Sequence, residues 1–349
     1  MSAAIDAALD LAGTAAAVRR EQMSAMVAGA YGSADVLRLQ SIERPEIGDG
    51  EVLVRVRAAG LDRGVWHLMT GKPYLIRLMG FGLRRPKNPV MGQEVSGTVA
   101  AVGKSVTRFR VGDEVFGIGQ GTFAEYARAR EDKLVRKPTN LSFEQASVVA
   151  ISALTALQSV RDAGKVQAGQ RVLIIGASGG VGSYAVQIAK AFGAEVTGVC
   201  SAAKADHVRS LGADHVIDYA REDFADGSRR HDVILDMGGN SKLSRLRRAL
   251  APEGTIVFVG GEHGGDITGG FFGRPLAGMA LRPFVRQRFA MFMSTEHFED
   301  LERLAELIEA GKVVPPLDRV YPLHQVPDAM RELEAGRVRG KIAISVQGA

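Results

Sequence analysis

The sequence predicts an α/β protein in two parts: a β-rich N-terminal region, then a doubly wound parallel sheet flanked by helices. Three observations carry this. The chain has 349 residues, which suits about two domains at roughly 150 residues each. Its 46% hydrophobic and 24% charged residues are those of a globular protein and exclude a disordered or collagen-like chain. Near Pro138 the pattern changes from short, glycine-punctuated strands to strands alternating with helices, the pattern of a parallel sheet.

The elements follow in order. Residues 1–22 are alanine-rich, are interrupted by Asp6 and Asp10, and have no basic stretch ahead of them. They read as an N-terminal extension rather than a secretory signal. Val52–Val56, Val95–Val102 and Glu114–Phe116 read as strands, the last entered through the Gly112-Asp113 turn. Glycines at 92, 97, 103, 112, 117, 119 and 121 punctuate this region, as in a compact β barrel. Leu141–Val160 then reads as a helix and Arg171–Ile175 as a buried strand. Helices are expected at Val181–Phe192, Ala203–Leu211 and Lys242–Leu250. Strands are expected at Glu195–Cys200, His215–Asp218, Asp232–Asp236 and Thr255–Val259. Phe271–Met293 is apolar with interspersed arginines, Glu296–Ala310 is a helix ended by Pro315-Pro316, and Val320–Val346 returns to strand, helix and strand.

Composition narrows the chemistry. Cys200 is the single cysteine, which excludes an intrachain disulfide framework and any cysteine-cluster zinc or iron–sulfur site. It suits a reducing compartment, and the cytoplasm is the expected location. The net charge of +5 favours an anionic cofactor or substrate but is too diffuse to imply nucleic acid. The most apolar stretch, Ser147–Leu157, is too short for a membrane span and carries serine and threonine, so no membrane partner is expected.

The strongest motif is Ala177-Ser178-Gly179-Gly180-Val181-Gly182, set between a buried strand and a helix. Gly179 lets backbone approach a pyrophosphate, Gly182 permits close helix–strand packing, and the helix N-terminus offers N–H groups and a positive dipole end. Ala177 stands where this fingerprint has its first glycine, so the turn must tolerate a methyl group. In an NAD site an acidic residue ends the second strand and binds the ribose 2′-hydroxyl. Here that strand ends Gly198-Val199-Cys200-Ser201 without a carboxylate. With Ser201 as a hydrogen-bond donor and Lys204 as a charge, the expected cofactor is NADPH rather than NADH. The bland alternative for Lys204 is a solvated helix residue.

Together with that loop, Gly92-Gln93-Glu94 followed by Gly97, Val111–Gly117 and Phe123-Ala124-Glu125-Tyr126 give a chain that resembles the medium-chain dehydrogenase/reductase superfamily. More narrowly, it resembles the zinc-free quinone oxidoreductase (zeta-crystallin-like) branch. The likeness covers about residues 24–349. It implies a GroES-like catalytic domain over 23–147, a Rossmann cofactor domain over 148–311 and a returning catalytic segment over 312–349. A nicotinamide lies in the cleft between the domains, and the usual assembly is a homodimer. Zinc-dependent relatives hold their metal with a cysteine, the histidine of a Gly-His-Glu motif and a later cysteine. At the first two positions this chain has Asp62 and Gln93, and it has no cysteine for the third. No metal site is therefore expected.

The resemblance also assigns candidate residues. Asp62, Trp66, His67 and Tyr74 match the segment lining the substrate cleft, with His67 at a proton-relay position. Trp66 can stack on a flat ring or pack in the core, and Tyr74 and Gln93 can donate hydrogen bonds to a carbonyl oxygen. Thr155 matches a threonine near the nicotinamide, and Val259-Gly260 the loop beside the nicotinamide ribose. Tyr219 matches a tyrosine at the 2′-phosphate end, or it packs beside the adenine. Lys341 matches a basic residue that reaches the cofactor from the returning segment. The basic, aromatic run Arg282–Phe289 resembles the family's dimer edge and is not expected to bind nucleic acid. A site without zinc lacks a Lewis acid for a developing alkoxide, which favours substrates that delocalise their own charge. The expected activity is hydride transfer from NADPH to a quinone or an α,β-unsaturated carbonyl. The alternatives are a zinc-free alcohol or aldehyde oxidoreductase and a non-catalytic, crystallin-like NADPH-binding protein.

Overall fold

The structure, a computed structural model, describes residues 21–261, 265–267, 270 and 273–346. The expected N-terminal extension lies outside these apart from its last two residues, and Gln22 already opens a strand. That strand, β1 (Gln22–Ala28), pairs antiparallel with β2 (Leu37–Glu43). A larger sheet holds β3 (Glu51–Leu61), β4 (Glu94–Val102), β5 (Glu114–Ile118), β6 (Tyr126–Arg130) and β7 (Leu134–Arg136). These strands close on a core that includes Met26, Val54, Leu61, Val95 and Phe123, as a barrel-like β region requires.

The second sheet is parallel throughout, from β8 (Arg171–Ile175), β9 (Glu195–Cys200), β10 (His215–Asp218), β11 (His231–Asp236), β12 (Leu250–Phe258) and β13 (Arg288–Met291). Its order is β10-β9-β8-β11-β12-β13, the dinucleotide-fold order in which the chain reverses direction between β8 and β11. Val172, Leu173 and Ile174 are fully buried because helices cover both faces of a parallel sheet. The chain then returns to the first sheet through β14 (Leu317–Pro322) and β15 (Lys341–Ser345), giving the order β14-β15-β3-β4-β5-β7 with β6 on β3.

Two expectations are refined. The helix read over Leu141–Val160 is interrupted. Phe143–Ser147 is opened by a Ser142/Gln145 capping box, a second helix runs Ala150–Gln158, and a π turn spans Ser159–Ala163. The second helix starts afresh because the Ile151 N–H donates to the Glu94 carboxylate at 2.8 Å, a long-range contact no local pattern contains. The apolar, arginine-bearing stretch becomes the helix Gly273–Leu281, a turn and β13, whose Phe289 is buried against β12.

Candidate active site

The parallel register aligns the strand ends. Ile175 pairs with Val199 and Asp236, Cys200 with Asp218, and Asp236 with Phe258. The loops beyond them form one edge centred on the β8/β11 switch point, where ligands of such sheets bind. The phosphate loop opens it. Gly176 carries the left-handed turn (φ 84°), and its N–H and that of Ala177 both donate to the Val199 carbonyl at 3.1 Å. The turn therefore falls one residue before Ala177, whose buried methyl faces Gly198. A side chain on Gly182 would come within 2.1 Å of the Gly176 carbonyl, whereas one on Gly179 would meet only that carbonyl at 3.5 Å. The helix Gly180–Ala191 has no side-chain cap, so its first N–H groups present the unpaired donors and positive dipole end that a pyrophosphate takes.

Ser201, Lys204 and Tyr219 follow β9 and β10. The Tyr219 N–H donates to the Cys200 carbonyl at 3.2 Å, and its side chain is exposed rather than packed in a core. Lys204 donates to the carbonyls of Gly336 and Val338, each at 2.7 Å. Burial holds its ammonium below the usual lysine range, with Asp318 opposing. At the other end of the edge, the N–H groups of Val259 and Gly260 donate to the Asp236 carbonyl at 3.1 and 3.0 Å. The Thr155 hydroxyl donates to the Ile151 carbonyl at 2.8 Å. Arg274 pairs with the fully buried Asp236 and donates to the Gly260 carbonyl at 3.1 Å. This pair was not expected, although an acid closing an apolar strand is a visible signal for it.

On the other sheet, Asp62 caps the helix Arg63–Thr70 by accepting from the Val65 N–H at 3.0 Å. A side chain on Gly64 would lie 2.9 Å from Asp62 Oδ1 and 3.3 Å from Gln93 Oε1, so Asp62 and Gln93 converge on that glycine. Gln93 also borders a cavity of about 650 Å³ with Leu68, Phe81, Met91 and Gly119, within the range of small-molecule sites. Trp66 and His67 ride on the capped helix, ring edge to ring face at 5.0 Å. His67 Nδ1 lies 2.6 Å from the Lys72 carbonyl. A carbonyl only accepts, so the proton is on Nδ1. Tyr74 is 43% exposed, and its ring stacks under Arg77. Its backbone N–H crosses to the parallel-sheet side, donating to the Asp266 carbonyl at 2.6 Å.

The returning segment joins the two sides. The Gly340 N–H donates to the Ser178 carbonyl at 2.9 Å. Lys341, expected to face the cofactor, directs its ammonium to Glu94 at 2.5 Å and to the Ser152 hydroxyl at 3.0 Å, all three buried. Glu94 stood in a motif that was read only for its neighbour Gln93. Burial pushes its carboxyl up to about 7, with Lys341 opposing and Asp62 reinforcing. Among the described residues no cluster of three or more His, Cys, Asp or Glu side chains is arranged to hold a metal ion, and no helix is long and apolar enough to cross a membrane.

Known proteins agree with this architecture. Residues 211–344 match the family described as Zinc-binding dehydrogenase, and residues 48–139 match the Alcohol dehydrogenase GroES-like domain. The chain is 34% identical to the Bos taurus NAD(P)H oxidoreductase RTN4IP1, mitochondrial, over 94% of this chain and 90% of that protein. It is 33% identical to the Arabidopsis thaliana NADPH-dependent alkenal/one oxidoreductase, chloroplastic, over 95% and 81% of the two chains. The solved structure of the quinone oxidoreductase from Coxiella burnetii superposes with a TM-score of 0.80 at 28% identity, covering 94% of this chain and 100% of that one. The uncapped phosphate loop, the switch-point edge and these likenesses place the chain in the medium-chain dehydrogenase/reductase superfamily, as a nicotinamide-dependent oxidoreductase of the quinone oxidoreductase-like kind.

Proposed function

We propose that the protein is an NADPH-dependent, metal-free reductase of quinones or α,β-unsaturated carbonyls. The observation that carries the reading is the uncapped end of the helix Gly180–Ala191, opening from the switch point with space above Gly179. That cradle fits a pyrophosphate. Ala177, Ser178, Gly179, Gly180, Val181 and Gly182 would hold it by backbone, with Lys341 beneath. Ser201, Lys204 and Tyr219 would take the adenosine end. The Lys204 ammonium contacts neutral carbonyls, and a 2′-phosphate offers it a stronger, charged partner. Thr155, Val259 and Gly260 would flank the nicotinamide, which when bound supplies the hydride.

Asp62, Trp66, His67, Tyr74 and Gln93 would shape the substrate side. The Gln93 amide and the Tyr74 hydroxyl can donate to a carbonyl oxygen, and closure of the cleft would exclude water. Glutamine at Gln93 is a poor zinc ligand. Enolates and hydroquinonates spread their charge and need less Lewis-acid help. The names of the Arabidopsis and Coxiella proteins support this substrate class. A second copy is the proposed partner at β13, the outermost strand of its sheet among the described residues.

Steady-state kinetics with NADPH and NADH against quinones, enones and aldehydes test the reading. Turnover of the first two classes with NADPH is expected, and Lys204→Ala should raise KM for NADPH at least tenfold more than for NADH, the loss of about one charged hydrogen bond. An equal effect on both cofactors would remove the 2′-phosphate assignment. Tight NADPH binding with no turnover of any acceptor would favour a binding protein.

A further inference from the structure

We infer that Glu94 is a proton-linked positioning residue: seating a dinucleotide pyrophosphate on the loop draws a proton onto Glu94, with Lys341 as the physical link. The inference rests on the dinucleotide reading above and adds a linkage to it.

Glu94 is fully buried, and each element packed on it presents a group. From β15 comes the Lys341 ammonium, 2.5 Å from Oε2. From the helix Ala150–Gln158 come the Ile151 N–H, 2.8 Å from Oε1, and Ser152, whose hydroxyl shares Lys341. From the end of β3 comes the like charge of Asp62. From the helix Gly180–Ala191 comes Tyr184, whose hydroxyl donates to the Val148 carbonyl at 3.0 Å. Glu94 thus has one buried ammonium against it and a second buried carboxylate, Asp62, near enough to repel it. No donor reaches Asp62 Oδ2 among the described residues. Burial favours the protonated form of Glu94, the charge of Asp62 reinforces this and Lys341 opposes it, leaving the carboxyl at about 7.

Lys341 connects Glu94 to the loop. Its Cδ lies 3.0 Å from where a Gly180 side chain would begin, and the preceding Gly340 N–H binds the Ser178 carbonyl. A pyrophosphate on the loop brings negative charge to the far side of the same lysine. The lysine then faces anions on both sides, so ionised Glu94 becomes costlier and its pKa rises. A group whose pKa rises on binding takes up a proton. Uptake is largest between the free-state and bound-state values, at and above about pH 7. It fades well below that, where the carboxyl is already protonated, and well above it, where it is ionised in both states.

Isothermal titration calorimetry of the full chain with NADPH, in buffers of different ionisation enthalpy from about pH 6 to about pH 9, reads the proton number directly. A rise of one pKa unit gives an uptake of about half a proton per dinucleotide, peaking above pH 7, and a Kd that weakens with pH over the same window. Glu94→Gln should abolish this uptake, and the difference between the two proteins cancels the titration of the 2′-phosphate itself. Asp62→Asn keeps a helix cap and should move the peak to lower pH, and it decides the matter if Glu94→Gln does not fold. Equal proton numbers in both proteins, or an unmoved peak in Asp62→Asn, overturn the inference while leaving dinucleotide binding intact. No NADPH binding at all removes the dinucleotide reading and the inference with it.

Discussion

Two glycines of the phosphate loop separate packing from binding. Gly182 has no room for a methyl group, since its added Cβ would lie 2.1 Å from the Gly176 carbonyl and 2.9 Å from Ala177 Cα. These are backbone atoms that cannot swing aside, so Gly182→Ala should cost about 1–3 kcal/mol of folding stability in urea unfolding. Gly179 has a φ of −84° and open space around its would-be side chain. Gly179→Ala should therefore keep its unfolding midpoint within about 0.5 kcal/mol yet weaken NADPH binding at least tenfold in a fluorescence titration. Since the fold leaves room for a methyl group at Gly179, a loss of affinity without a loss of stability would trace to the approach of the ligand. Unchanged NADPH affinity in Gly179→Ala would mean that the pyrophosphate lies elsewhere.

At the scale of elements, the legible parts were those whose pattern is local. The strands Arg171–Ile175, Glu195–Cys200 and His215–Asp218 form where the sequence predicts them, because an apolar run bounded by turns suffices to define a buried parallel strand. The phosphate loop was legible for the same reason, as strand, glycines and helix are contiguous. What was not legible depends on distant partners. The break before Ala150 arises from Glu94, 57 residues before the Ile151 N–H that it accepts from. Gly176 takes the turn that the fingerprint assigns one position later, because Ala177 packs on Gly198 of the next strand. Lys341 and Asp236 become buried ion pairs only when the returning segment and the helix Gly273–Leu281 dock. Tyr74, grouped with Asp62 by the family resemblance, also has its backbone N–H bound to the distant Asp266 carbonyl, a contact no local pattern contains.

For the whole molecule, the Glu94–Lys341–Ser152 cluster joins the first sheet, the returning strand and the cofactor side in one buried contact. Its carboxyl leaves a mark on stability. Glu94 binds its proton more tightly in the folded protein, at about 7, than at the ordinary 4.5 of an unfolded chain. Raising the pH through that window deprotonates the unfolded chain first, so the contribution of Glu94 to stability falls with pH by up to roughly 1.4 kcal/mol per unit and levels off above it. His231, whose burial lowers its pKa to about 4, opposes this below about pH 6.5, so urea unfolding at intervals between about pH 5 and pH 8 should give the native chain a more negative slope than Glu94→Gln, whatever the sign of the slope itself. Equal slopes would mean that the cluster carries no excess proton.

If this scaffold moves hydride to a charge-delocalising acceptor, it should do so without a metal ion. Rapid mixing of chelator-treated, NADPH-loaded protein with a quinone, followed by nicotinamide fluorescence, tests it in a single turnover. Prompt loss of the NADPH signal is expected, at a rate unchanged by the chelator or by added zinc. Oxidation that appears only when zinc is restored, or fails with every quinone and enone while NADPH stays bound, would contradict it.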